Sequence, residues 1–209
     1  MSKHIAVVAA NGKAGTAIVE EATRRGMDVT AVVRGGNKTN AQHVIIKDLY
    51  DLGAGDLTGF EAVVDAFGVF DPAKLSEHGT SLMLLADALS GSQTRLLVVG
   101  GAGSLYTDKT HTHQLSDSFP ESIKGVPLAM GAALDALRKR DDVHWTYESP
   151  AGDFQPDGQR TGTYVLAGEE YTTDENGRSA ISYADYAVAM VDEITTDKPH
   201  DHERISVRW

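Results

Sequence analysis

The chain has 209 residues, 41% of them hydrophobic and 23% charged, with a formal net charge of −11 and no cysteine. That length suits one medium α/β domain. The negative charge opposes non-specific binding to nucleic acid or to anionic membranes, and the lack of cysteine removes disulfides, thiolate metal sites and cysteine nucleophiles.

The first residues lack the charged and apolar regions of a signal peptide, and no apolar run reaches bilayer length, so a soluble cytoplasmic protein is expected. Residues 5–9 form a short, β-branched apolar run that predicts a first strand. Gly12 and Gly15 follow, three residues apart, and then a helical pattern begins. A strand, a glycine turn and a helix N-terminus are the parts of a dinucleotide-binding βα unit. Backbone amides can approach a pyrophosphate closely where side chains are absent, and the helix offers unpaired N–H groups to the same phosphates. The motif reads Ala9-x-x-Gly12-x-x-Gly15, with alanine in place of the first of three glycines. Alanine is expected to serve there with a negative φ. Asn11, Lys13 and Ala14 complete the turn and count with it as candidate cofactor-binding positions.

The helix after Gly15 places Ile18, Val19 and Ala22 on one face, and Gly26 is expected as its C-cap. Residues 28–33 predict a second strand that ends at Arg34-Gly35-Gly36. In such a unit the tip of strand two meets the adenosine ribose. An acid there favours NAD, and an arginine accommodates the 2′-phosphate of NADP. Arg34 has no acid beside it, so NADP(H) is expected over NAD(H), with Lys38 and Lys13 able to add positive charge. Residues 42–46 predict strand three. Just after it, Asp48 can accept from the adenine amino group and Leu49 can pack on the ring, while Asp48 also caps a short helix. Residues 61–68 predict strand four, whose small end places Ala66, Phe67 and Gly68 at the cofactor.

A helix is predicted over 76–88 and a continuous apolar strand over 95–99, ending in Gly100-Gly101-Ala102-Gly103-Ser104. Residues 105–127 lack periodicity and predict a long functional loop. His111 and His113 alternate with threonine there, a spacing that matches no helical metal-ligand pair, and no metal is expected. A helix is predicted over 126–140 with a basic last turn, then strand six over 143–147. Pro150 ends that strand and can floor the site beside the nicotinamide. Two short strands around Ala167-Gly168, a helix over 184–194 and a last strand over 204–208 complete the chain. The whole, 1–209, is read as one domain, with 153–180 as a small lobe suited to cover a substrate pocket.

Several stretches together resemble the atypical short-chain dehydrogenase/reductases with an NAD(P)H-binding domain. They are Ala10-Asn11-Gly12-Lys13-Ala14-Gly15, Asp65-Ala66-Phe67-Gly68, Gly100-Gly101-Ala102-Gly103-Ser104-Leu105, Trp145-Thr146-Tyr147-Glu148-Ser149-Pro150 and Ile181-Ser182-Tyr183-Ala184-Asp185-Tyr186-Ala187. The group includes NmrA-like proteins, biliverdin-IXβ/flavin reductases and bacterial candidate NADH-flavin reductases. The resemblance implies a Rossmann-type, doubly wound, mostly parallel sheet in the order 3-2-1-4-5-6 with a further strand. It also implies a dinucleotide cofactor, mostly NADP(H).

The chain departs from the short-chain dehydrogenases that use a tyrosine and a lysine four residues on. The corresponding helix carries Leu128, Met130 and Leu134. A flavin or quinone reductase needs no such pair, because the cofactor supplies the hydride and the proton can come from water. The first reading is therefore an NADPH-dependent reductase of a planar, conjugated acceptor, with Ser104 or Tyr106 as candidate catalytic donors. The second is a non-enzymatic NADP(H) sensor acting on a protein partner, as the NmrA-like proteins imply. An isomerase or epimerase ranks last. Oligomeric state stays open, a homodimer included.

Overall fold

The computed structural model describes residues 3–209. Its centre is an eight-stranded sheet in the order β3-β2-β1-β4-β5-β6-β10-β8. The strands are β1 (His4–Val8), β2 (Asp28–Val33), β3 (His43–Ile46), β4 (Ala62–Asp65), β5 (Arg95–Val99), β6 (Trp145–Ser149), β8 (Val165–Ala167) and β10 (Glu203–Arg208). All neighbours run parallel except β8, which pairs antiparallel with β10. The expected 3-2-1-4-5-6 order holds, and the further strand is β10, followed by β8. A separate pair joins β7 (Asp153–Gln155) and β9 (Ala180–Ser182) in parallel.

Four helices cover the two faces: α1 (Lys13–Arg24), α2 (Glu77–Leu89), α3 (Glu121–Leu137) and α4 (Tyr183–Thr195). Strand alternation divides the core between them. Ile5 and Val7 of β1 join α1 and α4 residues such as Ile18, Val19 and Met190. Ala6 and Val8 join α2 and α3 residues such as Leu82, Leu85 and Leu134. Burial on both faces is why β1, β2 and β5 read as continuous apolar runs. No helix among the described residues is long and apolar enough to cross a membrane.

Three expectations are corrected. Strand four stops at Asp65, so Ala66, Phe67 and Gly68 lie beyond its end. Helix α3 starts at Glu121, several residues earlier than expected, and ends before the basic Arg138-Lys139-Arg140. The expected helix began at Val126, one residue before Pro127, a residue that suits a first turn better than a helix interior. Here Pro127 stands inside α3 and occupies the space that a side chain at Gly103 would fill. The expected strand pair around Ala167-Gly168 does not form either. β8 joins the edge left open by β10, through Ala167 opposite Ser206, and Glu170 makes an isolated bridge to Tyr106.

Polar contacts fasten the 153–180 segment to the α1/α4 layer. Asp185, fully buried on α4, accepts from Thr161 N at 2.9 Å, Gly162 N at 2.7 Å and Trp209 Nε1 at 2.6 Å. Glu21 on α1 accepts from Arg160 Nε at 2.9 Å and also pairs with Arg24 and Arg25. Burial opposes its charge, but hydrogen bonds from these arginines hold its pKa down at about 2.

Two groups in this core are under tension. Ala9, at the β1–α1 turn, has φ +58°, against the expectation of a negative φ. The turn imposes it, because the chain must reverse sharply enough for Gly12 N to reach Ala9 O at 2.9 Å. Glu148 on β6 is 1% exposed, and neither carboxyl oxygen has a hydrogen-bond partner among the described residues. Burial, and then the carboxylates of Glu193 and Asp192, push its pKa well above the ordinary range.

Ala9→Gly relieves about 1–2 kcal/mol of left-handed strain and adds about 0.5–1 kcal/mol of chain entropy to the unfolded state. The expected net is a gain of about 0.5 kcal/mol, or about 1–2 °C in Tm by calorimetry; a lower Tm contradicts this account. For Glu148, a folded-state pKa above the unfolded one means that its contribution is fully present below about pH 4.5 and declines as pH rises. Glu148→Met removes that decline. In urea unfolding the variant should gain on the parent between about pH 5 and about pH 8, whereas a constant difference counts against a buried neutral carboxyl.

Candidate functional site

The carboxyl ends of β1, β2 and β4 open onto a cleft of about 660 Å³, within the range of small-molecule sites. β1 lies between β2 and β4, where successive connections leave in opposite directions, which is where α/β sheets bind ligands. The cleft collects Ala9, Asn11, Gly12, Arg34, Asp48, Leu49, Ala66, Phe67 and Gly68.

Gly15 explains how α1 comes so close. A side chain there would put its Cβ 2.7 Å from Ala9 O and 2.9 Å from the Ala10 Cα. Gly15 is therefore a packing residue that seats the helix on the strand end. Gly12 caps α1 without a side-chain hydrogen bond, and no acidic residue stands in the first turn. The positive end of the helix is left open for an anion. Lys13 and Ala14 occupy that first turn and do not line the cleft.

Asn11 ties this turn to the loop after β2. Its Nδ2 donates to Gly36 O at 2.9 Å, and its Oδ1 accepts from Lys38 N at 2.8 Å. Arg34 stands at the tip of β2, exposed. Arg34, Lys38 and Lys74 all line the cleft, and none has an ion-pair partner among the described residues. In a chain of net charge −11, three unpaired cations around one cleft form a local anion-attracting field. Asp48 and Glu77 are the carboxylates in the same wall. Asp48 accepts from Tyr50 N at 3.0 Å and so caps the turn Leu49–Asp51, as its cap role requires. Tyr50 in turn bonds Thr80 on α2 at 2.8 Å, closing one side of the cleft. The residues present fit a dinucleotide: a side-chain-free turn, an open helix N-terminus, cations at the β2 tip and a carboxylate after β3.

The remaining expected site residues lie outside this cleft. Gly100 fits beneath the Tyr147 ring and Glu148 O, where packing demands a glycine, and Gly101 lies against the flexible end of Met130. Pro150 is buried after β6. Ser104 is buried, and its O and Oγ accept from Arg204 Nη1 at 2.9 and 3.0 Å. Tyr106 stacks on His111 with ring centroids 4.4 Å apart, and the Arg204 guanidinium lies 5.5 Å from its ring. Its hydroxyl has no hydrogen-bond partner among the described residues.

Sequence reasoning missed the group that holds this loop. Glu169 receives Arg138 through both carboxyl oxygens at 2.7 Å and also pairs with Arg204. Backbone bonds from Tyr106 N to Glu169 O and from Tyr171 N to Tyr106 O complete the link. The residues concerned come from four distant stretches, so no local spacing announces them. Tyr50, Lys74 and Glu77 were missed as well; Tyr50 stands shortly after β3, but Lys74 and Glu77 lie well beyond the end of β4, at the entry to α2, where no strand end announces them.

Comparison with known proteins agrees with this geometry. A family model described as NAD(P)H-binding matches residues 9–197. The uncharacterised protein YwnB of Bacillus subtilis is 40% identical over 207 residues, 97% of each chain. A crystal structure of a candidate NADH-flavin reductase from Streptococcus pneumoniae superposes with a TM-score of 0.96 at 53% identity, covering 99% of both chains. That of a candidate epimerase from Bacteroides thetaiotaomicron gives 0.86 at 34% identity, covering 100% of this chain and 98% of the other. Strand order, glycine turn, cation-tipped β2 and these matches lead to one assignment: the chain belongs to the NAD(P)H-binding family of atypical short-chain dehydrogenase/reductases.

Proposed function

We propose that the protein is an NADPH-dependent reductase of a planar, conjugated acceptor such as a flavin or a quinone. One observation carries the cofactor choice: Arg34 ends β2 exposed, unpaired and without a neighbouring acid, beside the unpaired Lys38. A 2′-phosphate placed there gains charge-assisted hydrogen bonds that a 2′-hydroxyl cannot make in the same number. The reductase reading draws support from the similarity to the Streptococcus pneumoniae protein. When bound, the dinucleotide supplies the hydride. Ala9, Asn11 and Gly12 hold its pyrophosphate in this reading, Lys13, Ala14 and Gly15 form the helix start above it, and Asp48 and Leu49 take the adenine. Ala66, Phe67 and Gly68 form the opposite wall, and Gly100, Gly101 and Pro150 back the nicotinamide end.

The chain offers no tyrosine–lysine pair on α3, where Met130 and Ala133 face inward. A planar acceptor needs stacking and orientation more than a strong acid. Tyr106 is suited to this, with its hydroxyl free and its ring fixed by His111 and Arg204. Ser104 acts at one remove, through Arg204. Within the 153–180 lobe, the stretch around Glu169 and Tyr171 is the part that meets the Tyr106 loop and can cover the acceptor.

A second reading, a non-enzymatic NADP(H) sensor, is favoured by the lack of a tyrosine–lysine pair on α3 and by the burial of Ser104 against Arg204, away from a substrate.

Two measurements test these assignments. Arg34→Ala should raise the Kd for NADPH about tenfold, which corresponds to about 1.4 kcal/mol, and leave the Kd for NADH within about twofold. Equal losses for both cofactors remove the reason for preferring NADPH. Wild-type protein should oxidise NADPH anaerobically only when FMN, menadione or another conjugated acceptor is added. Tight binding without oxidation across such a screen sinks the reductase reading and supports the sensor.

A further inference from the structure

The cleft shares its Phe67 wall with a second, smaller cavity. This one lies on the α2/α3 side, at the carboxyl ends of β4, β5 and β6. β4 contributes Asp65, α2 contributes His78 and Ser81, and β6 contributes Tyr147. The space open to a water centre is about 20 Å³, above the roughly 10–15 Å³ that one water needs.

The lining is built for a polar guest. Ser81 is 0% exposed, and its Oγ has no hydrogen-bond partner among the described residues. Such a buried hydroxyl calls for an acceptor or a water. Asp65 is 4% exposed. Its Oδ1 accepts from Phe67 N at 3.0 Å, and its Oδ2 has no partner among the described residues. A water between Ser81 and Asp65 would satisfy both.

No cation faces Asp65 from the elements packed against it. From α2 comes His78, whose Nε2 lies 2.9 Å from Val69 O and whose burial favours the neutral ring. From β6 comes Tyr147, whose phenol is held protonated by burial. The α3 and β5 side chains, Met130, Ala133, Val98 and Val99, are uncharged. Glu77, beside His78, lines the larger cleft instead. Burial therefore acts on Asp65 with little opposition and pushes its pKa up to about 6.

We propose that Asp65, Ser81 and one bound water form a proton site behind the Phe67 wall, and that this site supplies the proton consumed when an acceptor is reduced at the nicotinamide end of the site. The inference rests on the reductase reading. The reduced dinucleotide gives the acceptor a hydride, and with it both electrons. The O–H bond of the Asp65 carboxyl then breaks as the water takes its proton, while the water passes one of its own to the reduced acceptor. Asp65 is left as a carboxylate, to which solvent returns a proton. Asp65 is thus a positioning residue for the proton, acting through water, and Ser81 fixes that water.

The test combines crystallography with pH profiles. A high-resolution crystal structure of the full chain should show an ordered water within hydrogen-bond distance of Ser81 Oγ and the Asp65 carboxyl. NADPH oxidation with FMN or menadione should fall as pH rises above about 6. Asp65→Asn should lower turnover about tenfold or more at the acid end and flatten the profile. Ser81→Ala, a smaller change, should lose the water and slow turnover about tenfold while keeping the fold. An unchanged profile in both variants, with turnover intact, overturns the proton site and leaves the reductase reading standing. So does a wild-type crystal structure without that water. No oxidation with either acceptor overturns both.

Discussion

The close approach of α1 to the end of β1 is the constraint on which the site depends. Two backbones meet at Gly15 with no room for a Cβ, and Ala9 takes a left-handed conformation to make the turn. Everything around the cleft is referred to that contact. β1 pairs with β2 on one side and β4 on the other, so Arg34 and Ala66 are placed at fixed offsets from the same turn. Ala66 N bonds Val8 O directly. The sheet thus works as a ruler: a ligand lying across the strand ends meets a side-chain-free centre, a cationic tip and a small-residue wall.

The other half of the molecule is held differently. The loop after β5 has no strand ladder to fix it, and salt bridges take over. Arg204, nearly inaccessible on β10, binds Ser104 on one side and Glu169 on the other, and Arg138 closes the group. An ion pair at this depth is costly to dehydrate, and breaking it by removing one partner leaves an uncompensated charge. The group fixes where the Tyr106 loop lies relative to β10. The two halves of the site therefore rest on different physics, steric at the dinucleotide end and electrostatic at the end proposed for the acceptor.

The sheet was legible because parallel strands buried on both faces read as uninterrupted Val, Ile, Leu and Ala. β2 and β5 match their expected limits for that reason. The strand order beyond this came from the family resemblance. The cleft residues from Ala9 to Gly68 were legible because each stands just past a strand end. The start of α3 was not, because Pro127 is tolerated through a distant glycine, Gly103, that no helical pattern includes. The partner of β8 was hidden for a related reason: propensity marks an extended segment but does not name the edge that receives it. Gly100 has a second reason to be glycine that no strand pattern announces: the Tyr147 ring and Glu148 O fill the space a Cβ would take.

Asn11 has a consequence for redesign. One amide side chain braces the glycine turn against the backbone of the loop that carries Arg34 and Lys38. The ends of the cleft proposed for the ribose and for the phosphates are then not independent modules. Swapping the β2 loop to change cofactor would also shift the carbonyl and amide that Asn11 grips, and with them the turn. Selectivity and overall grip should move together in such a chimera, so the loop and residue 11 form one unit of exchange.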